Sequence, residues 1–190
     1  MSEFQYYKFE RLDGYLDAKA RQALRAISSR AEISATAFQV YYTYSDLKAE
    51  PFELMLKYFD IGFYYADWGS IDVYIKLPAG TLPDALLGFS SDGLHVHEND
   101  EWQLLIFSLE ECDEYFDDEH ADDFFQHLAA LRGGLMQGDW RLVYLMWLKA
   151  FATPSSTIWC ACAIAASIPL NFPPSEKESG VTFRIPIMYV

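Results

Sequence analysis

The clearest alternation of apolar and polar positions lies between residues 59 and 78. Every second residue from 71 to 77 is apolar, which is typical of a strand with one face on the core. Residues 61–66 are apolar or aromatic at nearly every position, as in a strand covered on both faces. Residues 67–70 join the two segments, and Gly69 supplies the backbone freedom of a tight turn. The sequence therefore predicts a hairpin here.

Similar patterns predict elements along the rest of the chain. Further strands are expected at Gln5–Leu12, Thr36–Tyr44, Leu94–His97 and Trp102–Leu109. Helices are expected at Leu16–Ser29, Phe52–Phe59, Phe124–Met136 and Asp139–Phe151, with a short turn at Asp84–Leu87. This order predicts an α+β fold, an antiparallel or mixed sheet with helices packed on one face and a helical C-terminal half. A ferredoxin-like topology would suit the first half.

The chain divides by composition near Phe151. Residues 1–151 predict a single α+β domain, since 190 residues suffice for one sizeable core. In residues 152–190 no charge occurs before Glu176, and the apolar run Ile158–Ile168 is only eleven residues long. A membrane span needs about 20 apolar residues, so a buried segment is the favoured interpretation. This uncharged tail is expected to pack on the domain or to be poorly ordered.

The charge of the chain is concentrated in one region. The net charge is -14, and residues 81–149 carry 15 acidic side chains against 3 basic ones. A field of this sign opposes binding to a phosphate backbone and suits a basic protein partner or simple solvation. A weaker alternative is an acidic mimic of nucleic acid. The acidic run Glu110–Asp123 is either a solvated lead-in to the next helix or a surface for a basic partner. It lacks the glycine of a calcium-binding loop.

The cysteines and the first residues bear on location. Cys112, Cys160 and Cys162 form an odd set without a CxxC spacing. The chain starts Met-Ser-Glu-Phe-Gln, without the basic and apolar regions of a secretory signal. A reducing cytoplasm is therefore the predicted compartment.

Two histidines form the strongest metal-binding pattern. His95 and His97 lie two residues apart on a predicted strand, so both rings project from one face. Glu98, Asp100 or His120 could complete a zinc or iron site. The simpler interpretation is a pair of exposed histidines beside an acidic turn, and no cofactor is expected.

Two connections remain as candidate binding sites, and no catalytic motif is found. Tyr44, Asp46 and Lys48 lie in a polar connection, where Asp46 and Lys48 could pair. Asp67 and Trp68 form the tip of the predicted hairpin. Trp68 is either tucked under a neighbouring loop or an exposed anchor of the kind that interfaces favour.

Short motifs shared with other proteins are spread over residues 4–150. They are Tyr6-Tyr7-x-Phe9, Ala23-Leu-Arg-Ala-Ile-Ser-Ser-Arg-Ala-Glu-Ile33, Phe38, Tyr44-Ser-Asp-Leu-Lys48, Pro51, Leu54-Met55, Lys57-Tyr-Phe-Asp60, Ala66-Asp-Trp-Gly69, Leu94-His-Val-His97 and Gly138-Asp-Trp-Arg-Leu-Val-Tyr-Leu-Met-Trp-Leu148. Jointly they resemble an uncharacterised family of bacterial proteins. The resemblance implies a soluble bacterial domain without an assigned activity, and it singles out Tyr44, Asp46, Lys48, Asp67 and Trp68.

The resemblance ends after Phe151. The family continues with an acidic linker, a proline-rich segment and a further helix, whereas this chain continues without a charged residue as far as Glu176. A change of reading frame or a local divergence would produce this shift.

Two functional hypotheses follow from these patterns. The first is a non-enzymatic protein-interaction module of the bacterial cytoplasm, supported by the aromatic content and the one-sided acidic charge. The second is a metal-dependent enzyme or sensor that uses His95 and His97 with nearby carboxylates.

Overall fold

The computed structural model describes residues 4–87, 93–110 and 118–143, and its core is a seven-stranded antiparallel sheet. The strands are β1 (Phe4–Glu10), β2 (Glu32–Ile33), β3 (Ala37–Thr43), β4 (Ile61–Ala66), β5 (Ile71–Pro78), β6 (Leu94–Glu98) and β7 (Trp102–Leu109). Their order across the sheet is β2-β3-β1-β4-β5-β7-β6. The α+β prediction is thereby confirmed, with the sheet antiparallel throughout.

Four helices accompany the sheet in the described residues: α1 (Ala18–Ile27), α2 (Pro51–Tyr58), α3 (Asp84–Leu87) and α4 (Asp118–Met136). The carboxylate of Asp17 accepts a hydrogen bond from the Ala20 N–H at 2.6 Å and so caps α1. Pro51 opens α2, where its missing N–H has no consequence. Residues 141–143 are helical. Most of the predicted helix Asp139–Phe151 lies outside the described residues, so α4 and residues 141–143 are the only parts of the predicted helical C-terminal half that the structure describes.

The first four strands form two interlocked βαβ units. Helix α1 links β1 to β2 with β3 between them, and α2 links β3 to β4 with β1 between them. The order β2-β3-β1-β4 is the one expected of a ferredoxin-like first half. Strands β5, β7 and β6 then extend the sheet beyond β4.

The helices lie on both faces of the sheet, so the prediction of helices on one face is wrong. Leu24 of α1 and Met55 of α2 belong to the apolar cluster on one face. Phe125 and Leu128 of α4 belong to the cluster on the other face. The cause is the central strand β4, which is buried on both faces and therefore needs a cover on each.

Gly62 allows α2 to pack directly against the sheet. A Cβ atom at this position would lie 2.6 Å from the Phe9 ring and 2.8 Å from the Met55 sulfur. Both neighbours are fully buried in the core. Any larger residue would therefore push α2 away from β1 and β4.

The tail predicted at residues 152–190 lies outside the described residues, and so does the division of the chain at Phe151. None of the helices in the described ranges is both long and apolar enough to cross a membrane.

Candidate functional site

Two connections meet at one end of the sheet. Thr43, at the end of β3, is the register partner of Phe4, at the start of β1. On the other side of β1, the Asp67 N–H donates a hydrogen bond to the Phe4 carbonyl at 3.0 Å. We call residues 44–50 and 67–70 together the aromatic end. It contains all five predicted binding residues, Tyr44, Asp46, Lys48, Asp67 and Trp68.

The β4–β5 turn presents Trp68 to solvent. The Gly69 N–H donates to the Ala66 carbonyl at 3.0 Å, and the Ala66 N–H donates to the Ser70 carbonyl at 2.9 Å. Gly69 has a φ of 93°, which a residue with a side chain rarely adopts. The turn is therefore closed, and the Trp68 side chain at its tip is 51% exposed. Of the two alternatives left by the sequence, the structure shows the exposed one.

Tyr44 holds an unusual backbone conformation. With a φ of 63°, it is the one non-glycine residue in the left-handed region among the described residues. This conformation costs a residue with a Cβ roughly 1–2 kcal/mol. The ring is 70% exposed and gains little from burial. Backbone strain that packing does not offset is concentrated at functional sites in proteins.

One buried amide fastens the connection after β3 to the sheet. The Gln5 side chain is 4% exposed, and its Nε2 donates to Asp46 Oδ1 at 2.7 Å and to the Ser45 carbonyl at 3.4 Å. Its Oε1 accepts a hydrogen bond from the Tyr7 hydroxyl at 2.6 Å. Asp46 therefore bonds to Gln5, and the ion pair with Lys48 that the sequence allowed is not formed.

Three tyrosines lie beneath the aromatic end, on the α2 side of β1, β4 and β5. The rings of Tyr7 and Tyr64 are 4.7 Å apart between centroids. Burial, with the nearby Asp72 carboxylate, raises the pKa of Tyr64 to about 12. Burial also raises the pKa of Tyr7, and burial with Asp72 raises that of Tyr74. All three hydroxyls thus stay protonated at neutral pH and act as hydrogen-bond donors.

The histidines of β6 lie apart from this site. His95 and His97 are both exposed on the face that carries α2, and the His97 ring packs in a T-shaped contact with Phe52 at 5.0 Å. Glu98 Oε2 accepts a hydrogen bond from Gln103 at 3.3 Å. Among the residues that the structure describes, no three metal-ligating side chains come together. The side chain of His120 lies outside them.

A buried charge cluster at the opposite end of the sheet escaped the sequence analysis. Asp60 is 7% exposed, and its Oδ2 accepts hydrogen bonds from the N–H groups of Leu12 and Asp13 at 2.9 and 3.0 Å. Lys76 Nζ lies 3.6 Å from Asp60 Oδ1 and donates to the Met55 carbonyl at 2.8 Å. Burial lowers the pKa of Lys76, while the Asp60 carboxylate opposes this shift. These groups bond to one another and to backbone, which is a structural role.

The chain matches no protein-family model, no curated protein sequence and no solved structure. The resemblance to an uncharacterised bacterial family therefore stays a prediction.

Proposed function

We propose that this protein is a non-enzymatic interaction module that binds a protein partner through the aromatic end. The observation that carries the proposal is the strained, exposed Tyr44, which lies across the start of β1 from the exposed Trp68. Tyrosine and tryptophan supply much of the binding energy in protein interfaces. Gln5 holds residues 44–50 on the sheet, and the closed turn holds residues 67–70. Both segments are therefore ordered before binding, which lowers the entropic cost of association.

The charges of the aromatic end indicate the chemistry of the partner. Asp46, Glu50 and Asp67 are all exposed, with Lys48 as the basic residue among them. Aromatic faces next to carboxylates bind arginine and lysine side chains by cation–π and charge-assisted contacts. A basic segment of a cytoplasmic protein is therefore the proposed occupant. The net charge of -14 adds a long-range attraction for such a partner and opposes direct binding of nucleic acid.

We infer that residues 4–66 act as a ferredoxin-like scaffold for this surface. One connection of the aromatic end follows β3 and the other follows β4, and both strands pair with β1, so the sheet fixes their separation. The weaker alternative, an acidic mimic of nucleic acid, depends on residues 110–123. Residues 111–117 of that run lie outside the described part of the chain, and the alternative stays a prediction.

The proposal is tested by comparing variants of exposed aromatic residues. Proteins retained from a bacterial lysate by the wild-type chain are identified, and their affinities are measured with purified components. Trp68→Ala and Tyr44→Ala should each weaken binding of a true partner at least about tenfold, as for an interface hot spot. Tyr15→Ala is the matched control, because Tyr15 is 77% exposed and follows β1 at its opposite end.

The exposed carboxylates of the aromatic end allow a second measurement on the same complex, its dependence on salt. Binding should weaken as salt rises, since exposed charges are screened within about 8–10 Å at 0.10–0.15 M salt. If the Tyr44→Ala, Trp68→Ala double variant binds every retained protein as tightly as the wild type does, the aromatic end is not the interface and the proposal is wrong.

A further inference from the structure

Among the residues that the structure describes, strand β6 forms an edge of the sheet. It is the last strand in the order and pairs with β7 in a continuous register, from Leu94 opposite Phe107 to Glu98 opposite Gln103. Its sequence, Leu-His-Val-His-Glu, contains no proline and no lysine. Proteins commonly protect edge strands with those residues or with bulges, because an unprotected edge pairs with other strands. Strand β6 therefore has no proline, no lysine and no bulge that would prevent such pairing.

The hydrogen bonds to β7 define which backbone groups of β6 point outward. The Ser108 N–H donates to the Gly93 carbonyl at 2.9 Å, and the Asn99 N–H donates to the Trp102 carbonyl at 3.0 Å. Backbone groups alternate in direction along an antiparallel ladder. Residues 93, 95, 97 and 99 therefore bond toward β7. The N–H and carbonyl groups of residues 94, 96 and 98 point away from the sheet, toward the position of an additional strand.

The side chains of β6 are self-complementary about Val96. In an antiparallel pair centred on Val96, His95 of one copy lies opposite His97 of the second copy. These positions form non-hydrogen-bonded pairs, in which Cα atoms are about 4.5 Å apart and side chains are closest. Residues two apart on one strand are separated by about 7 Å. Four imidazoles thus gather on one face of the paired strands.

We propose that two copies of this chain pair through β6 in antiparallel orientation and bind one zinc-type divalent ion with His95 and His97 of each copy. Zinc accepts four nitrogen ligands in a tetrahedral arrangement at about 2.0–2.1 Å. One described chain brings together only two such ligands, and the symmetry of the pair supplies the other two. The contact of His97 with Phe52 at 5.0 Å restricts the orientation of that ring. This proposal is independent of the aromatic end.

Sedimentation velocity of the full chain tests the proposal. With chelator the chain should sediment as a monomer. On titration with zinc alone it should become a dimer, and the change should saturate at one zinc ion per two chains. His95→Gln and His97→Gln should each abolish the zinc-dependent dimer. The matched control is His127→Gln on α4, an exposed histidine outside β6 that should leave the dimer intact.

Val96→Pro tests the strand pairing without removing a ligand. The Val96 N–H points away from β7, so a proline there keeps the existing ladder and blocks the new one. We expect this variant to stay monomeric in zinc, with a melting temperature in chelator close to that of the wild type. A zinc-dependent dimer that persists in the His95→Gln, His97→Gln double variant would overturn the proposal. So would a monomer that binds zinc one to one, or a chain whose sedimentation zinc does not change.

Discussion

Tyr44 combines a left-handed backbone with an exposed ring. Asparagine or glycine would adopt this conformation at lower cost, because bulky side chains crowd the backbone there. The tyrosine therefore reduces stability at a position where its ring contributes little to folding. The hydrogen bonds that Gln5 makes to Ser45 and Asp46 hold the next two residues in place and so help to maintain the strain. A role in binding explains why a large aromatic residue occupies this position.

We predict that Tyr44→Asn raises the free energy of unfolding by about 1 kcal/mol, because asparagine tolerates the left-handed region. Tyr44→Ala is the control, since alanine removes the same ring and keeps most of the backbone cost. Urea unfolding of the three proteins measures the difference. If the asparagine and alanine variants are equally stable, the Tyr44 backbone is not strained.

At the scale of elements, the sequence predicts the helices and strands that are long enough to show a regular hydrophobic period. The predicted limits of β4 and β7 coincide with the observed strands Ile61–Ala66 and Trp102–Leu109. Strand β2 was missed because its two residues, Glu32–Ile33, are too few to show a period. The position of α4 on the second face was missed because the amphipathic pattern of a helix does not specify which face it covers.

The sequence allows the residues of the candidate site to be named, but it does not show that they lie close together. Turn chemistry identified Asp67 and Trp68, and the polar connection identified Tyr44 and Asp46. Their proximity depends on the register of β1 with β3, which pairs Phe4 with a residue 39 positions later in the chain. Gln5 was missed as the residue that holds the connection after β3 on the sheet. A polar residue at a predicted strand start usually faces water, and its burial follows from tertiary packing.

The tyrosines of β1, β4 and β5 predict a loss of stability in alkaline solution. Unfolded tyrosine ionises near pH 10, whereas Tyr64 has a pKa of about 12 and the pKa values of Tyr7 and Tyr74 are also raised. Above pH 10 the unfolded chain loses protons that the folded chain keeps. Stability is therefore complete below pH 10 and falls as pH rises toward 12, by up to about 1.4 kcal/mol per pH unit for each such tyrosine.

Urea unfolding between pH 9 and pH 11.5 measures this slope, at about half-unit steps. Tyr64→Phe should make the slope shallower, because it removes one of the coupled groups. Tyr15→Phe is the matched control, since that ring is 77% exposed. A slope unchanged by Tyr64→Phe would mean that other groups cause the alkaline loss.

At the scale of the whole molecule, one arginine links the two layers that cover the sheet. Arg132 lies on α4, is 6% exposed, and its Nε donates to the Lys76 carbonyl at 2.8 Å. Its terminal guanidinium nitrogen donates to the carboxylate of Asp13. Asp13 lies in the connection from β1 to α1, and α1 packs on the opposite face of the sheet. The Asp60 carboxylate accepts a hydrogen bond from the Asp13 N–H at 3.0 Å. The arginine therefore connects α4 with the start of the α1 connection around the end of β5.

We predict that Arg132→Met lowers the free energy of unfolding by about 2 kcal/mol. The partly buried Lys76 carbonyl loses its charged donor, and leaving a buried group unsatisfied costs about 1–3 kcal/mol. The ion pair itself contributes little, because the Asp13 side chain is 66% exposed. Asp13→Asn should therefore be much less destabilising than Arg132→Met in the same urea experiment.

The comparison with Arg141 separates this link from a general effect of removing an arginine. Arg141 lies beyond α4, in the helical residues 141–143, and bonds to Asp139 two residues away. Arg141→Met therefore breaks a local contact and should hardly change the midpoint of unfolding. Hydrogen exchange adds the spatial test, because loss of Arg132 should increase exchange both in α4 and at residues 12 and 13. If exchange increases in α4 alone, the arginine stabilises its own helix, and the two layers are held together by the apolar clusters without it.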